Sequence, residues 1–282
     1  MARSYFMTQV RFDFDAVELL PKELKSRGIA RPMLVTDPGL VASGLAQRVQ
    51  DLMPAGSACF TDLQANPTAE DVDAAVALYK ESDSNGLVAL GGGSAIDLAK
   101  GTSVMATHEG LLRDYDIMKV MRKEGRTMTP ATAPIIAVPT AAGTGSEVAT
   151  TAVITVGPGE KILLINDNIL PKATLADPEL TLSLPPGLTA GTGMDALSHC
   201  LEGVFSSNDN PPAKAVGLDG ASRVFANIQR VWHEPDNKQA RWEMMMGSIE
   251  GGMTMLNGLG AIHAMSHALG GLHELSLHHG TL

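Results

Sequence analysis

The sequence predicts an α/β domain on a mostly parallel sheet, followed by an all-helical domain. Three observations predict it. Short apolar runs alternate with amphipathic segments through the first half; glycine-rich turns follow two of those runs; and a helical pattern takes over from about Pro186. Strands separated by helices of this length give a sheet covered on both faces.

In order, "PMLVT" (32–36) reads as a strand and Leu40–Met53 as a helix with apolar residues at helical spacing. "ACFTDL" (58–63) is a second strand. "NPTAEDVDAAVALYKES" is a helix with Asn66 or Thr68 as N-cap and acids in its first turn. "GLVALGGGSAIDLAKGTS" is a strand, a glycine turn and a helix, and "PIIAVPT" (134–140) is a strand with a glycine-rich exit. "TTAVITVGPGEKILLIND" reads as a hairpin appended to the same sheet. Helices are then expected over 187–206, 211–231, 237–256 and 260–270. The division is 1–180 for the α/β domain and 181–282 for the helical one, with the boundary near Asp177–Leu184.

Composition narrows the function classes. The chain is 44% apolar and 18% charged, the balance of a globular protein. Its formal charge of −10 opposes nucleic acid and anionic membrane as partners. No apolar run is long enough to span a bilayer, and the opening "MARSYFMTQVRF" lacks a signal-peptide core. Two cysteines cannot make a disulfide framework, so a reducing cytoplasm is the expected setting.

In "LGGGSAID" the strand Leu87–Leu90 runs into a glycine turn that opens a helix. Gly92 and Gly93 let backbone approach a phosphate, the helix N-terminus offers free N–H groups, and Ser94 adds a hydroxyl. This is Rossmann-like nucleotide binding without the G-x-G-x-x-G fingerprint. The acid suited to ribose hydroxyls lies upstream, at Asp37; taken alone, Asp37 reads as a helix cap or turn residue. "PTAAGTGSE" (139–147) supplies Thr140, Thr144 and Ser146 on a second glycine loop, read either as part of the nucleotide cleft or as a loop packed on the helical domain.

Five of eight histidines fall between Asn257 and the end of the chain. "TGMDALSHCLEG" places Asp195 and His199 four apart on an apolar helix, and His263 and His267 repeat that spacing, followed by "LHHG". One carboxylate and up to three imidazoles suit a borderline divalent ion, Fe²⁺ or Zn²⁺.

Together, "LLPKELKSRGIARPMLVTDPGL", "NPT", "GGGSAIDLAK", "VPTAAGTGSE", "TGMDALSHCLE" and "GAIHAMSHALGG…HHG" resemble the iron-containing (group III) alcohol dehydrogenases across essentially the whole chain. The resemblance implies an NAD-dependent enzyme that interconverts an alcohol with an aldehyde or ketone, iron activating the substrate oxygen. Metal ligands by this resemblance are Asp195, His199, His263 and His279, with His278 the alternative to the last. His267 would stand near nicotinamide and substrate as a proton relay. Asp37, Asn66, Gly93, Ser94, Thr140, Thr144 and Lys161 match positions on the NAD and substrate side; Gly92, Asp97 and Ser146 complete the set of cofactor residues. Lys161 would orient an acidic substrate or the ribose, or else is a solvated hairpin charge.

Alternatives on the same scaffold are a hydroxyacid–oxoacid transhydrogenase, a maleylacetate reductase and a glycerol dehydrogenase; a different class is an inactive binding remnant. The "LHHGTL" ending is similar to the transhydrogenase and hydroxybutyrate dehydrogenase branch. A homodimer or larger assembly is implied. Asp15 stands in "FDFD" where relatives usually carry glycine, so that turn is expected to differ. Relatives also continue with further helices, and the chain is expected to be an incomplete, C-terminally truncated version of a longer protein.

Overall fold

A computed structural model describes residues 8–64, 66–270 and 279–281. The chain divides into two compact units: an α/β unit of Thr8–Pro139 with Thr150–Ala176, and a helical unit containing Thr140–Ala149 and the chain from Asp177. The excursion 140–149 therefore groups with the helices, although it interrupts the α/β sequence.

The α/β unit carries β1 (Gln9–Phe12), α1 (Leu20–Ser26), β2 (Pro32–Val35), α2 (Pro38–Ala42), α3 (Leu45–Asp51) and β3 (Ala58–Phe60). Then come α4 (Ala69–Glu81), β4 (Gly86–Gly91), α5 (Gly93–Met105), α6 (Ile117–Met121), β5 (Ile135–Pro139), β6 (Thr151–Gly157), β7 (Glu160–Ile165) and β8 (Ala173–Ala176). Six strands form one sheet in the order β1-β8-β5-β4-β2-β3, and every pairing in it is parallel.

Central strands β2, β4 and β5 are buried along their whole length, which is why they read as unbroken apolar runs. Side chains alternate between the faces. Met33, Val35, Leu87, Ala89, Ile135 and Ala137 join one core with Val72 and Ala75 of α4 and Ile96 of α5. Each large apolar side chain buried there contributes about 1.5–3 kcal/mol.

Two expectations need correction. The helix expected over Leu40–Met53 is two short ones, broken where Gly44 turns left-handed at φ 80°. The hairpin does not extend the large sheet. β6 and β7 form their own antiparallel ribbon with an irregularity between Thr155 and Gly157. It is seated on α5, where Asp97 Oδ2 accepts from Val153 N–H (2.9 Å) and the buried Lys100 Nζ donates to Thr151 O (2.6 Å). In the early turn Asp15 adopts φ 62°, the left-handed conformation that glycine favours. Between Asn66 and Thr68, the cap of α4 is Thr68, in a reciprocal capping box with Asp71.

The helical unit contains α7 (Pro186–Phe205), α8 (Pro211–His233), α9 (Lys238–Thr254) and α10 (Ala261–Gly270). Asn210 and Asn237 cap α8 and α9, accepting from Ala213 N–H (3.4 Å) and Ala240 N–H (3.0 Å). Among the described residues no helix is long and apolar enough to cross a membrane.

Between α8 and α9, Arg223 meets Asp219 (2.8 Å), Glu243 (2.5 Å) and Glu250 (3.4 Å). Burial, with Asp219 beside it, pushes the Glu250 carboxyl up to about 7. Native protein therefore binds an extra proton between the ordinary carboxylate range and about pH 7, and stability declines as pH rises through that window. Glu250→Gln is expected to be more stable than the parent by about 1–2 kcal/mol near pH 8 and indistinguishable near pH 5. Denaturant midpoints at the two pH values check this.

Candidate metal centre

Helix α7 starts at Pro186, favoured at a first helical position, and is apolar enough to be buried. Asp195, His199 and Glu202 recur at four and three residues along one face, and all three are buried. Helix α10 presents His263 and Ser266, both buried, and the turn at His279–Thr281 supplies another imidazole.

Three imidazoles turn toward one carboxylate oxygen. The Nε2 atoms of His263, His279 and His199 lie 3.4, 3.5 and 3.7 Å from Asp195 Oδ1. Asp195, His263 and His279 each offer a ligand atom within 4.8 Å of the others. His199 falls outside that trio but its ring stacks on His263, centroids 4.4 Å apart at 25°.

Each imidazole has its other nitrogen engaged. Nδ1 of His199 faces Gly143 O at 3.3 Å, Nδ1 of His263 faces Glu202 Oε2 at 2.6 Å, and Nδ1 of His279 faces Ser266 Oγ at 2.9 Å. Engaging Nδ1 leaves Nε2 to point inward, the arrangement in which histidines hold a metal.

Nε2 of His263 is buried without a hydrogen bond. An orphaned nitrogen beside a buried carboxylate is costly unless a cation completes the group. The donor set fits such an ion: one oxygen and three imidazole nitrogens suit Fe²⁺ or Zn²⁺.

Electrostatics agree with that fit. Burial opposes ionisation of Asp195, but His263 and His279 beside it hold its carboxyl far below the ordinary carboxylate range. Burial depresses His199 to about 4, so this imidazole is neutral, as a ligand must be. His263 is raised despite burial, because Asp195 and Glu202 flank it.

His267 is exposed, its ring centroid 5.0 Å from that of His279 and 6.1 Å from that of His263. It therefore stands at the rim of the cluster. His278 lies outside the described residues.

The remaining predicted residues fall in two groups. In the α/β unit the chain passes from β2 outward to β3, returns to β4, and continues away on the other side. The strand order thus reverses between β2 and β4, the place where open α/β sheets bind ligands. Asp37 follows β2, and Gly92, Gly93 and Ser94 follow β4 at the start of α5. Asp37 caps α2, Leu40 N–H donating to its Oδ1 at 3.0 Å, while its Oδ2 faces the Gly91 turn. Asn66 and Lys161 are brought together, Nζ donating to Asn66 Oδ1 at 3.2 Å. Burial lowers the Lys161 ammonium below its ordinary range. Asp97 is half-buried and seats β6, as described above.

Thr140, Thr144 and Ser146 belong to the helical unit instead. Their loop supports the cluster through the Gly143 carbonyl on His199.

Sequence reasoning missed Glu202, Ser266 and the Gly143 carbonyl. A signal existed for the first two. Glu202 shares the face of Asp195 and His199 on an otherwise apolar helix, and Ser266 follows His263 by one turn. The carbonyl carries no sequence signal.

The chain matches the family described as "Iron-containing alcohol dehydrogenase" over residues 7–178, and that described as "Fe-containing alcohol dehydrogenase family, C-terminal" over 189–281. A 4-hydroxybutyrate dehydrogenase of Cupriavidus necator is 47% identical over 286 aligned residues, covering 100% of this chain and 74% of that protein. Alcohol dehydrogenase 4 of Saccharomyces cerevisiae is 34% identical, covering 94% and 69%. Among solved structures, sulfoacetaldehyde reductase from Bifidobacterium kashiwanohense in complex with NAD+ superposes with TM-score 0.91 at 32% identity, covering 99% of this chain and 73% of that one. By sequence and by fold alike, this chain belongs to the iron-containing alcohol dehydrogenase family.

Proposed function

We propose that the chain is an NAD-dependent dehydrogenase interconverting a short hydroxy acid, of the 4-hydroxybutyrate class, with its aldehyde. The observation that carries the reading is the approach of three imidazole nitrogens to one buried carboxylate oxygen. The substrate class is supported by the 47% identity to a 4-hydroxybutyrate dehydrogenase over the whole chain.

When bound, a divalent ion supplies Lewis-acid polarisation of the substrate oxygen, and NAD supplies the hydride acceptor. The protein's part is positioning. In this reading Asp195, His199, His263 and His279 hold the ion, and the carboxylate offsets part of its charge. His267, exposed at the rim, passes the hydroxyl proton to solvent.

In the α/β unit, the N-terminus of α5 with Gly92, Gly93 and Ser94 receives the pyrophosphate, and Asp37 accepts from the ribose. Lys161, held against Asn66, suits a carboxylate group. A cytoplasmic setting is supported by two free cysteines. Self-association is supported by Leu218, Phe225 and Trp232, exposed at seven-residue intervals along α8.

Protein loaded with iron is expected to produce free NADH from 4-hydroxybutyrate and NAD⁺, and to lose that activity on chelation. An active enzyme indifferent to chelators would refute the metal reading. Hydride passing to an added oxoacid without free NADH would instead indicate the transhydrogenase.

A further inference from the structure

We propose that Glu202 is a positioning residue of the metal centre: it fixes the tautomer of His263 and, with its second oxygen, the start of the helix carrying it. The inference rests on the metal reading above and adds a residue that the ligand set does not contain.

Both oxygens of Glu202 are committed. Oε2 lies 2.6 Å from His263 Nδ1, and Oε1 accepts from Ile262 N–H at 2.6 Å. A carboxylate can only accept in this pairing, so a proton sits on Nδ1, and Nε2, on the Asp195 side, is the nitrogen left for a metal ion. The other two imidazoles have weaker partners, a carbonyl at 3.3 Å for His199 and a hydroxyl for His279. Among the described residues, His263 alone of the three has a charged acceptor behind it. Such a partner raises the donor strength of the imidazole and restricts ring rotation.

Burial makes the arrangement specific. Glu202 and His263 are 8% and 3% exposed, so water does not compete for either. The first N–H groups of α10 have no partner within their own helix, and one of them falls to Glu202 Oε1. The backbone also admits the carboxylate: a side-chain carbon on Gly260 would sit 2.9 Å from Oε1 and 3.2 Å from Cδ. One residue of α7 therefore sets both the entry of α10 and the aim of its ligand. Because α7 also carries Asp195 and His199, Glu202 ties the donors of the two helices into one frame.

The test compares the parent chain with Glu202→Gln and Asp195→Ala, using Co²⁺ as probe and a competing chelator to measure affinity. Glutamine keeps one acceptor oxygen but cannot serve His263 and Ile262 together. Glu202→Gln is expected to weaken Co²⁺ binding about 10–100-fold and to speed its release, with far-UV circular dichroism unchanged. Nitrogen NMR of the unsubstituted protein loaded with diamagnetic Zn²⁺ gives an independent readout, should the variant fail to fold. His263 is expected as the Nδ1–H form. Parent-like Co²⁺ affinity in folded Glu202→Gln, or a proton on Nε2 of His263, would overturn the role of Glu202 and leave the metal centre standing. A parent that binds no Co²⁺ would overturn the centre itself, and Glu202's role with it.

Discussion

Asp195→Ala is expected to leave the protein without metal and to lower kcat about 10³-fold. The reason lies in the geometry. Asp195 Oδ1 is the atom to which His263, His279 and His199 all turn, at 3.4 to 3.7 Å, and the carboxylate is 6% exposed. Alanine removes the carboxylate to which the three imidazole nitrogens turn, and with it the charge that offsets a cation held among them. Metal polarisation of a substrate oxygen is worth several kcal/mol of transition-state stabilisation, and each 1.36 kcal/mol is about tenfold in rate. Elemental analysis and steady-state kinetics on the same preparation check both halves. Full metal occupancy in the alanine variant would remove Asp195 from the ligand set.

Gly145→Ala is expected to lower stability by about 3 kcal/mol or more. Gly145 has φ 62°, and a β-carbon there would come within 2.4 Å of Gly252 Cα and 2.9 Å of Gly252 N. Both contacts are backbone, so no side chain can rotate away. Left-handed strain and overpacking each cost about 1–3 kcal/mol. Lost stability would be accompanied by lost metal affinity, because the same loop presents the Gly143 carbonyl to His199. Thermal unfolding together with Co²⁺ titration of the variant tests the pair of effects. A variant as stable as the parent would show that loop and α9 separate without cost.

Much of the fold was legible because its elements carry local signatures. The β4–α5 junction announces itself as an apolar run, a glycine turn and a helical period. The boundaries of α7, α8 and α9 follow from Pro186, Asn210 with Pro211, and Asn237. Strands β1 and β8 had no such signature. Each is four residues long, and β1 finds its partner across more than 150 residues of chain, from Gln9 to Ala173. The hairpin read correctly as a hairpin but not as a separate ribbon, since its place depends on Asp97 and Lys100 of α5. For the loop at 139–147, glycine content alone does not tell which neighbour the backbone approaches closely; at Gly145 that neighbour is Gly252 of α9.

For the cluster, the sequence by itself determined the inventory: a carboxylate and an imidazole one turn apart on α7, two imidazoles one turn apart on α10, and a histidine before a late glycine. Helical periodicity suffices for this, because it fixes which residues share a face. Only the tertiary structure decided that Asp195, His263 and His279 bring their atoms within 4.8 Å of one another, that His267 stays at the rim, and that Glu202 backs His263. Those outcomes depend on how α7, α10 and the 140–149 loop pack, and packing between segments distant in sequence leaves no trace in local spacing.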